Sequence, residues 1–127
     1  MRLGKREQRK GRAAELEVCR LLNESGIQAT PGEAMNYGKQ PDILGVEGFH
    51  CEVKRHERTE IGAWMRQAEQ DAERFSDGWP CVIHRRSRET WRVTMPLTAW
   101  VDLYKRALTG GFGRSEPPRK EECDNDR

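Results

Sequence analysis

The chain has 127 residues, 35% of them charged, and a formal net charge of +2 at neutral pH. This length supports one domain with a single hydrophobic core. No apolar run approaches the length of a membrane-spanning helix, and none follows the basic start as a secretory signal requires, so we expect a cytoplasmic protein. The four cysteines stand far apart with no CxxC pair, which argues against a disulfide framework or a zinc site and predicts reduced structural thiols.

The start of the chain is strongly basic. Its first twelve residues include Arg2, Lys5, Arg6, Arg9, Lys10 and Arg12 and only one acidic residue, Glu7. We expect residues 1–9 to form a flexible basic arm that contacts phosphates, with a plain solvated tail as the alternative.

Apolar residues that recur every three or four positions predict helices, and alternating apolar and polar residues predict strands. In chain order we expect a helix over about 9–25 ended by Gly26, a strand over 27–30, a polar loop over 33–40, strands over 43–46 and Phe49–Arg55 joined at Glu47 and Gly48, a helix over Ile61–Phe75, strands over 80–85 and 90–95, and a helix after Pro96. Residues 109–127 are rich in Gly, Pro and charge and are predicted to be a disordered tail. This order of elements predicts an α/β fold with a central mixed sheet flanked by helices.

The predicted hairpin over residues 41–54 carries charged side chains towards one of its ends. Side chains alternate along a strand, so Glu52 and Lys54 share the face opposite the apolar residues. Asp42 begins the antiparallel partner strand, and pairing is expected to bring it close to both. The alternative is that the three charged residues form the solvated face of a half-exposed hairpin. His50 shares the face of Glu52, and we expect it to pack near the sheet edge, with substrate contact as the alternative.

The first helix places one glutamate within its apolar arc. Glu15 lies between Leu22 and Cys19, whereas Glu17 lies on the polar side with Arg20. A buried carboxylate is costly unless a cation or hydrogen bonds compensate it. Converging carboxylates without a matching excess of cations suit a hard divalent ion, because Mg²⁺ and Mn²⁺ prefer oxygen ligands. With a lysine to hold a phosphate oxygen or the attacking water, this set predicts metal-assisted phosphodiester hydrolysis.

Two segments carry a resemblance to a known superfamily. Pro41-Asp42, nine intervening residues and Glu52-Val53-Lys54 resemble the PD-(D/E)XK nuclease signature. The segment KGRAAE, residues 10–15, resembles the start of archaeal-type Holliday-junction resolvases and their phage relatives. The resemblance covers roughly residues 9–95. It implies a restriction-endonuclease-like fold and a nuclease domain over residues 10–108.

The resemblance also implies roles for individual residues. It assigns catalysis to Glu15, Asp42, Glu52, Lys54 and Gln67, and metal binding to Glu15, Asp42, Glu52 and the backbone carbonyl of Val53. It implies that the metal is Mg²⁺, for which Mn²⁺ would substitute, and that Glu15 would be a further or water-mediated ligand. By the same resemblance, Lys54 would position the hydroxide or stabilise the scissile phosphate. Many members of the superfamily carry a glutamine on the helix after this strand, for which Gln67 is the best match and Gln70 the alternative.

The function implied is a magnesium-dependent DNA endonuclease that resolves branched DNA such as Holliday junctions. It would act as a homodimer with one site per subunit, in a bacterial or phage-infected cell. A nicking, repair or flap nuclease is one alternative, since the loop over 33–40 lacks the serine that archaeal resolvases carry there. A non-catalytic DNA-binding scaffold with the same fold is the other, and the intact Asp42, Glu52 and Lys54 argue against it. The expected DNA contacts are Arg6, Arg9, Lys10, Arg12, Arg55 and Arg58. Arg85, Arg86, Arg88 and Arg92, around the last hairpin turn, are expected to extend this basic surface.

Overall fold

A computed structural model of the chain describes residues 5–32 and 40–110, with side chains from residue 9 onward. Its elements are α1 (Lys5–Glu24), β1 (Thr30–Pro31), β2 (Ile43–Leu44), β3 (Phe49–Arg55), α2 (Ile61–Phe75), β4 (Trp79–Arg85), β5 (Arg92–Thr94) and α3 (Leu97–Thr109). The predicted order of helices and strands is confirmed. Thr109, the first residue of the predicted tail, ends α3, while residues 111–127 of the tail and nearly all of the predicted polar loop lie outside the described residues.

The strands form one five-stranded sheet in the order β1-β2-β3-β4-β5. The neighbours β3 and β4 run parallel, and the other three pairs are antiparallel. Parallel neighbours need a long crossover connection, and α2 provides it. A mixed five-stranded sheet with three helices is an α/β fold consistent with the restriction-endonuclease-like fold, as predicted.

The sheet buries a different set of side chains on each of its faces. On one face, Ala14, Val18 and Cys19 of α1 pack with Cys51, Val53, Cys81 and Ile83 of the two central strands. On the other face, Trp64 and Ala68 of α2 pack against Val82. The three cysteines are free buried thiols, as predicted, and Cys123 lies outside the described residues. The alternation of β3 therefore directs His50, Glu52 and Lys54 to the α2 side.

The first helix is longer than its apolar pattern indicates. It begins at Lys5, so residues 5–9 of the predicted arm are helical here. It ends where predicted, because Gly26 has a φ of 92°, a conformation that glycine adopts without steric cost. The Gly26 N–H donates to the Asn23 carbonyl and the Ile27 N–H to the Leu22 carbonyl, which satisfies two carbonyls of the last turn.

The first two strands are shorter than predicted. The Ala29 N–H donates to the Ile27 carbonyl, which makes a turn of the region expected to be extended and shifts β1 to Thr30–Pro31. Pro31 has no N–H to donate, and it lies in an edge strand, where proline is tolerated. The second strand ends at Leu44, because Gly45 turns the chain at a φ of 93°.

The last helix buries little of its apolar surface. Ala99 is its one buried residue. The exposed apolar residues of α3 are Leu97, Trp100, Leu103, Tyr104 and Leu108. Leu97 is 73% exposed, so the apolar side of α3 that carries it does not lie in the core of the single chain.

Candidate active site

The backbone of β3 fixes the position of the Asp42 carboxylate. The β2–β3 ladder pairs Ile43 with Cys51, and two residues further along β3 the Val53 N–H donates to Asp42 Oδ2 over 2.9 Å. Beyond the paired residues of β2, the Asp42 carboxylate thus accepts the Val53 hydrogen bond that a backbone carbonyl would accept in a continued ladder. The N–H and carbonyl of a strand residue point to the same side of the strand, so the Val53 carbonyl also faces the Asp42 side.

Glu52 is a buried carboxylate next to this point, with 4% of its surface exposed. The pKa of Glu52 is raised to about 8, chiefly by burial, and the hydrogen bond with His50 opposes this rise. The charge of Asp42 and hydrogen bonds with Asp71 and Asp42 contribute to the same rise. Asp42 and Glu52 therefore meet at the end of the hairpin, as predicted.

Helix α1 contributes Glu15 to the same region. Burial raises the pKa of Glu15 to about 7, and the negative charge of Asp42 adds to the rise. The nearby cations of Arg12 and Lys54 lower the pKa of Glu15 but do not cancel the effect of burial. Arg12 is itself held in place, because its Nη1 donates to the Gly32 carbonyl and lies 3.9 Å from Glu15 Oε1.

The lysine of the predicted motif contacts α2. Lys54 Nζ donates to Gln67 Oε1 over 3.0 Å. This contact distinguishes Gln67 from Gln70, the alternative that the sequence leaves open. The hydrogen bond restrains the Lys54 ammonium beside the carboxylates.

The carboxylates Glu15, Asp42 and Glu52 form a donor set that suits a divalent cation. Two of the three have a pKa far above the usual value for glutamate, because burial and mutual repulsion disfavour their ionised forms. A divalent cation would offset that repulsion with oxygen ligands of the type that Mg²⁺ and Mn²⁺ prefer.

Two further titratable residues, His50 and Asp71, lie beside Glu52, and a third, Asp77, lies behind His50; the sequence reasoning assigned none of them to the metal site. His50 is fully buried on the central strand β3, so the expectation that it packs near the sheet edge is wrong. Its Nε2 lies 2.9 Å from Glu52 Oε1, and its Nδ1 lies 2.9 Å from Asp77 Oδ2. Burial lowers the pKa of His50, but the two carboxylates outweigh burial and raise it to about 9.

The position of Asp71 beside the site is weakly indicated by the sequence. Asp71 follows Gln67 by four positions, which places both on one face of α2. A similar signal existed for His50, two positions before Glu52 in the same strand. Asp77 had none, because its position depends on a close approach of Gly78 to the β2–β3 turn. At Gly78 a Cβ atom would lie 2.3 Å from the Gly48 carbonyl carbon.

The predicted DNA-contacting residues occupy different environments. Arg9 and Lys10 are exposed on α1, and Arg58 is almost fully exposed, with its Nε 4.0 Å from Glu60 Oε1. Arg12 and Arg55 are half-buried, and the Arg6 side chain lies outside the described residues. Burial lowers the pKa of His56, and the charges of Lys54 and Lys10 lower it further, so the start of α1 lies near the end of β3.

The last hairpin turn does not present all its arginines to solvent. Arg85 is 3% exposed, so its expected place on a basic surface is wrong. Its Nη2 donates to both carboxylate oxygens of Glu17, at 3.1 and 3.2 Å, and its guanidinium lies over the Trp91 ring. Trp91 Nε1 also donates to Glu17, so the polar side of α1 is partly a packing surface. Arg86, Arg88 and Arg92 are exposed.

The fold is consistent with that of the PD-(D/E)XK nuclease superfamily, and Asp42, Glu52 and Lys54 occupy the positions of its sequence signature. A family model described as "Phage putative PDDEXK endonuclease" matches residues 6–109, and the chain belongs to that family. Comparisons with curated proteins and with solved structures give no match. Among the described residues, no helix combines the length and apolar character needed to cross a membrane.

Proposed function

We propose that the protein is a divalent-metal-dependent DNA endonuclease that hydrolyses phosphodiester bonds, with branched DNA such as Holliday junctions as its substrate. The observation that carries this proposal is the meeting of Glu15, Asp42 and Glu52 at the Lys54 end of β3. Glu15 is decisive, because a half-buried carboxylate near Asp42 is costly for a structural role and useful for cation binding.

Glu15, Asp42, Glu52 and the Val53 carbonyl would hold Mg²⁺, with Mn²⁺ as a substitute. Such an ion supplies positive charge at the phosphate and lowers the pKa of water. The chain's own contribution is to orient the donors, since the Val53 N–H fixes Asp42. Lys54, restrained by Gln67, would contact a phosphate oxygen or position the attacking water.

The exposed basic residues support DNA as the substrate. Arg9 and Lys10 extend from the start of α1, and Arg58 follows the strand that carries Lys54. Arg86 and Arg92 add positive charge at the β4–β5 turn, although Glu89 lies 2.8 Å from the Arg86 guanidinium. Such side chains would bind the phosphate backbone and give a binding constant that falls with salt.

Branched substrates and a homodimer are the finer parts of the proposal. The support for branched DNA is the resemblance of residues 10–15 to the start of resolvases. The support for a homodimer is the exposed apolar side of α3, where the Trp100 and Tyr104 rings stack on each other. Two subunits would provide one site for each cut strand. The family's phage association supports action in the cytoplasm of a phage-infected cell.

A cleavage assay with matched DNA substrates tests the proposal. The protein is incubated with a labelled four-way junction, a flap and a linear duplex, with and without Mg²⁺. Paired symmetric cuts in the junction alone are the expected result. Cuts confined to the flap or duplex would identify a nicking or repair nuclease, and binding without cleavage would identify a scaffold.

Asp42→Asn is the matched variant for this assay. We expect it to lower the cleavage rate at least 100-fold while DNA binding persists, because Asn retains the shape and the acceptor oxygen but not the charge. Asp102→Asn, in α3, is the control for loss of one carboxylate elsewhere. Full activity of Asp42→Asn would contradict the assigned metal site.

A further inference from the structure

A second group of potential metal ligands adjoins the proposed magnesium site. His50, Glu52 and Asp71 each offer one ligand atom, and these three atoms all lie within 4.8 Å of one another. His50 and Glu52 are buried, and Asp71 is half-buried. Of the three, the proposed function uses only Glu52 and gives no role to His50 or Asp71.

The orientation of His50 is fixed from outside this group. Asp77 lies 29% exposed behind the ring, and its Oδ2 is 2.9 Å from His50 Nδ1. That contact directs the opposite ring atom, Nε2, towards Glu52. Histidines that bind metals commonly hold a carboxylate on their other ring nitrogen, which sets the tautomer and the direction of the ligand atom.

The spacing between His50 and Glu52 suits two ligands of one cation. Their Nε2 and Oε1 atoms are 2.9 Å apart. Ligands at right angles around an ion, each about 2.1 Å from it, are separated by about 3 Å. A cation could therefore replace the proton between the two atoms without displacement of strand β3. Asp71 would complete three ligands from β3 and α2.

We propose that His50, Glu52 and Asp71 bind a second divalent cation, with Glu52 shared between this position and the Asp42 position. An imidazole ligand favours a transition metal such as Zn²⁺ or Co²⁺ over Mg²⁺, and Mn²⁺, although it suits oxygen ligands as Mg²⁺ does, also accepts an imidazole nitrogen beside carboxylates. This inference rests on the proposed function through the shared Glu52. It adds a chemical distinction, because the two positions would differ in the metals they accept.

Manganese bound to the full chain provides a direct test. Equilibrium Mn²⁺ binding is followed by electron paramagnetic resonance, and pulsed measurements detect the ¹⁴N nucleus of a directly bound imidazole. We expect two Mn²⁺ ions per chain and a ¹⁴N signal. His50→Gln should remove the signal and reduce binding to one ion, while His84→Gln, which changes a half-buried histidine of β4, should leave both unchanged.

A second pair of variants does not depend on the folding of His50→Gln. Asp71→Asn alters a half-buried residue at the surface of α2, so the variant should fold. It is expected to remove one Mn²⁺ ion, because the amide lacks the charge of the carboxylate ligand. Asp77→Asn is expected to weaken binding of that ion about 10- to 100-fold, because the histidine would lose its orienting carboxylate. The Mg²⁺ affinity of both variants should remain within about twofold of the wild type.

The outcomes separate this inference from the proposed function. Bound Mn²⁺ without a ¹⁴N signal in the wild-type protein would overturn the inference and leave the Asp42 site in place. A ¹⁴N signal that survives in His50→Gln would overturn it too, because another histidine would be the ligand. Absence of both Mn²⁺ binding and metal-dependent cleavage would overturn both proposals.

Discussion

The ion pair between α1 and β4 gives a stability prediction that is independent of catalysis. The Arg85 side chain is 1% exposed and the Glu17 side chain 18% exposed, with 3.1 Å between Arg85 Nη2 and Glu17 Oε1. Glu17→Ala would remove this pair and the hydrogen bond from Trp91, so the buried Arg85 cation would lose a carboxylate partner. Loss of one partner of a buried pair costs about 3–5 kcal/mol, and the partial exposure of Glu17 places the expected loss near 3 kcal/mol.

The loss in free energy of unfolding expected for Glu17→Ala is large compared with the stability of a typical domain. A loss of about 3 kcal/mol is a substantial part of the 5–15 kcal/mol by which domains are usually stable. For a chain of this size it corresponds to a melting temperature lower by roughly 10 °C. Urea unfolding followed by circular dichroism, with thermal melts in the same buffer, measures both quantities.

A second glutamate of α1 supplies the matched control. Glu24 forms an exposed pair with Arg20 over 2.9 Å, so Glu24→Ala removes the same charge from the same helix. That variant is expected to lose no more than about 0.5 kcal/mol. The double variant Glu17→Leu/Arg85→Met should recover much of the stability, because apolar side chains replace buried charges. Equal effects of the two single alanine variants would refute the reasoning.

Three further predictions concern the site and its surroundings. In metal-free protein, the raised pKa of Glu15 means that the folded state binds more protons than the unfolded state between about pH 4.5 and 7, so its contribution to stability falls across that window. Denaturant titrations at pH 5 and 8 should show a smaller fall for Glu15→Gln, and an unchanged difference would contradict the burial of that carboxylate. Gln67→Ala should lower the single-turnover cleavage rate about tenfold, whereas Gln70→Ala should have no such effect; equal effects would refute the role of the Lys54 contact. Arg9→Ala/Lys10→Ala should weaken DNA binding and reduce the slope of log K against log salt by up to about 2, with Lys105→Ala in α3 as the control. An unchanged slope would remove these residues from the DNA contact.

Much of the sequence-based description of the site rests on local periodicity. Strand alternation is sufficient to place Glu52 and Lys54 on one face, and the antiparallel turn is sufficient to bring Asp42 to them. Helical spacing similarly places Glu15 within an apolar arc and gives α2 its observed bounds, Ile61–Phe75. These relations hold because neighbouring residues in one element have fixed relative directions.

Contacts between distant elements depend on how those elements pack. Asp77 lies beside His50 because Gly78 allows the β2–β3 turn and the start of β4 to approach closely. The choice between Gln67 and Gln70 likewise depends on which turn of α2 faces Lys54.

The polar side of α1 also shows that contacts between elements do not follow from periodicity. By periodicity Glu17 belongs with solvent, but Arg85 at the end of β4 and Trp91 just before β5 cover that side of α1. The sequence by itself determined the directions of the side chains within each element and the carboxylate–lysine motif. The tertiary structure decided which charges became partners, because periodicity fixes the face of a side chain but not the element packed on it.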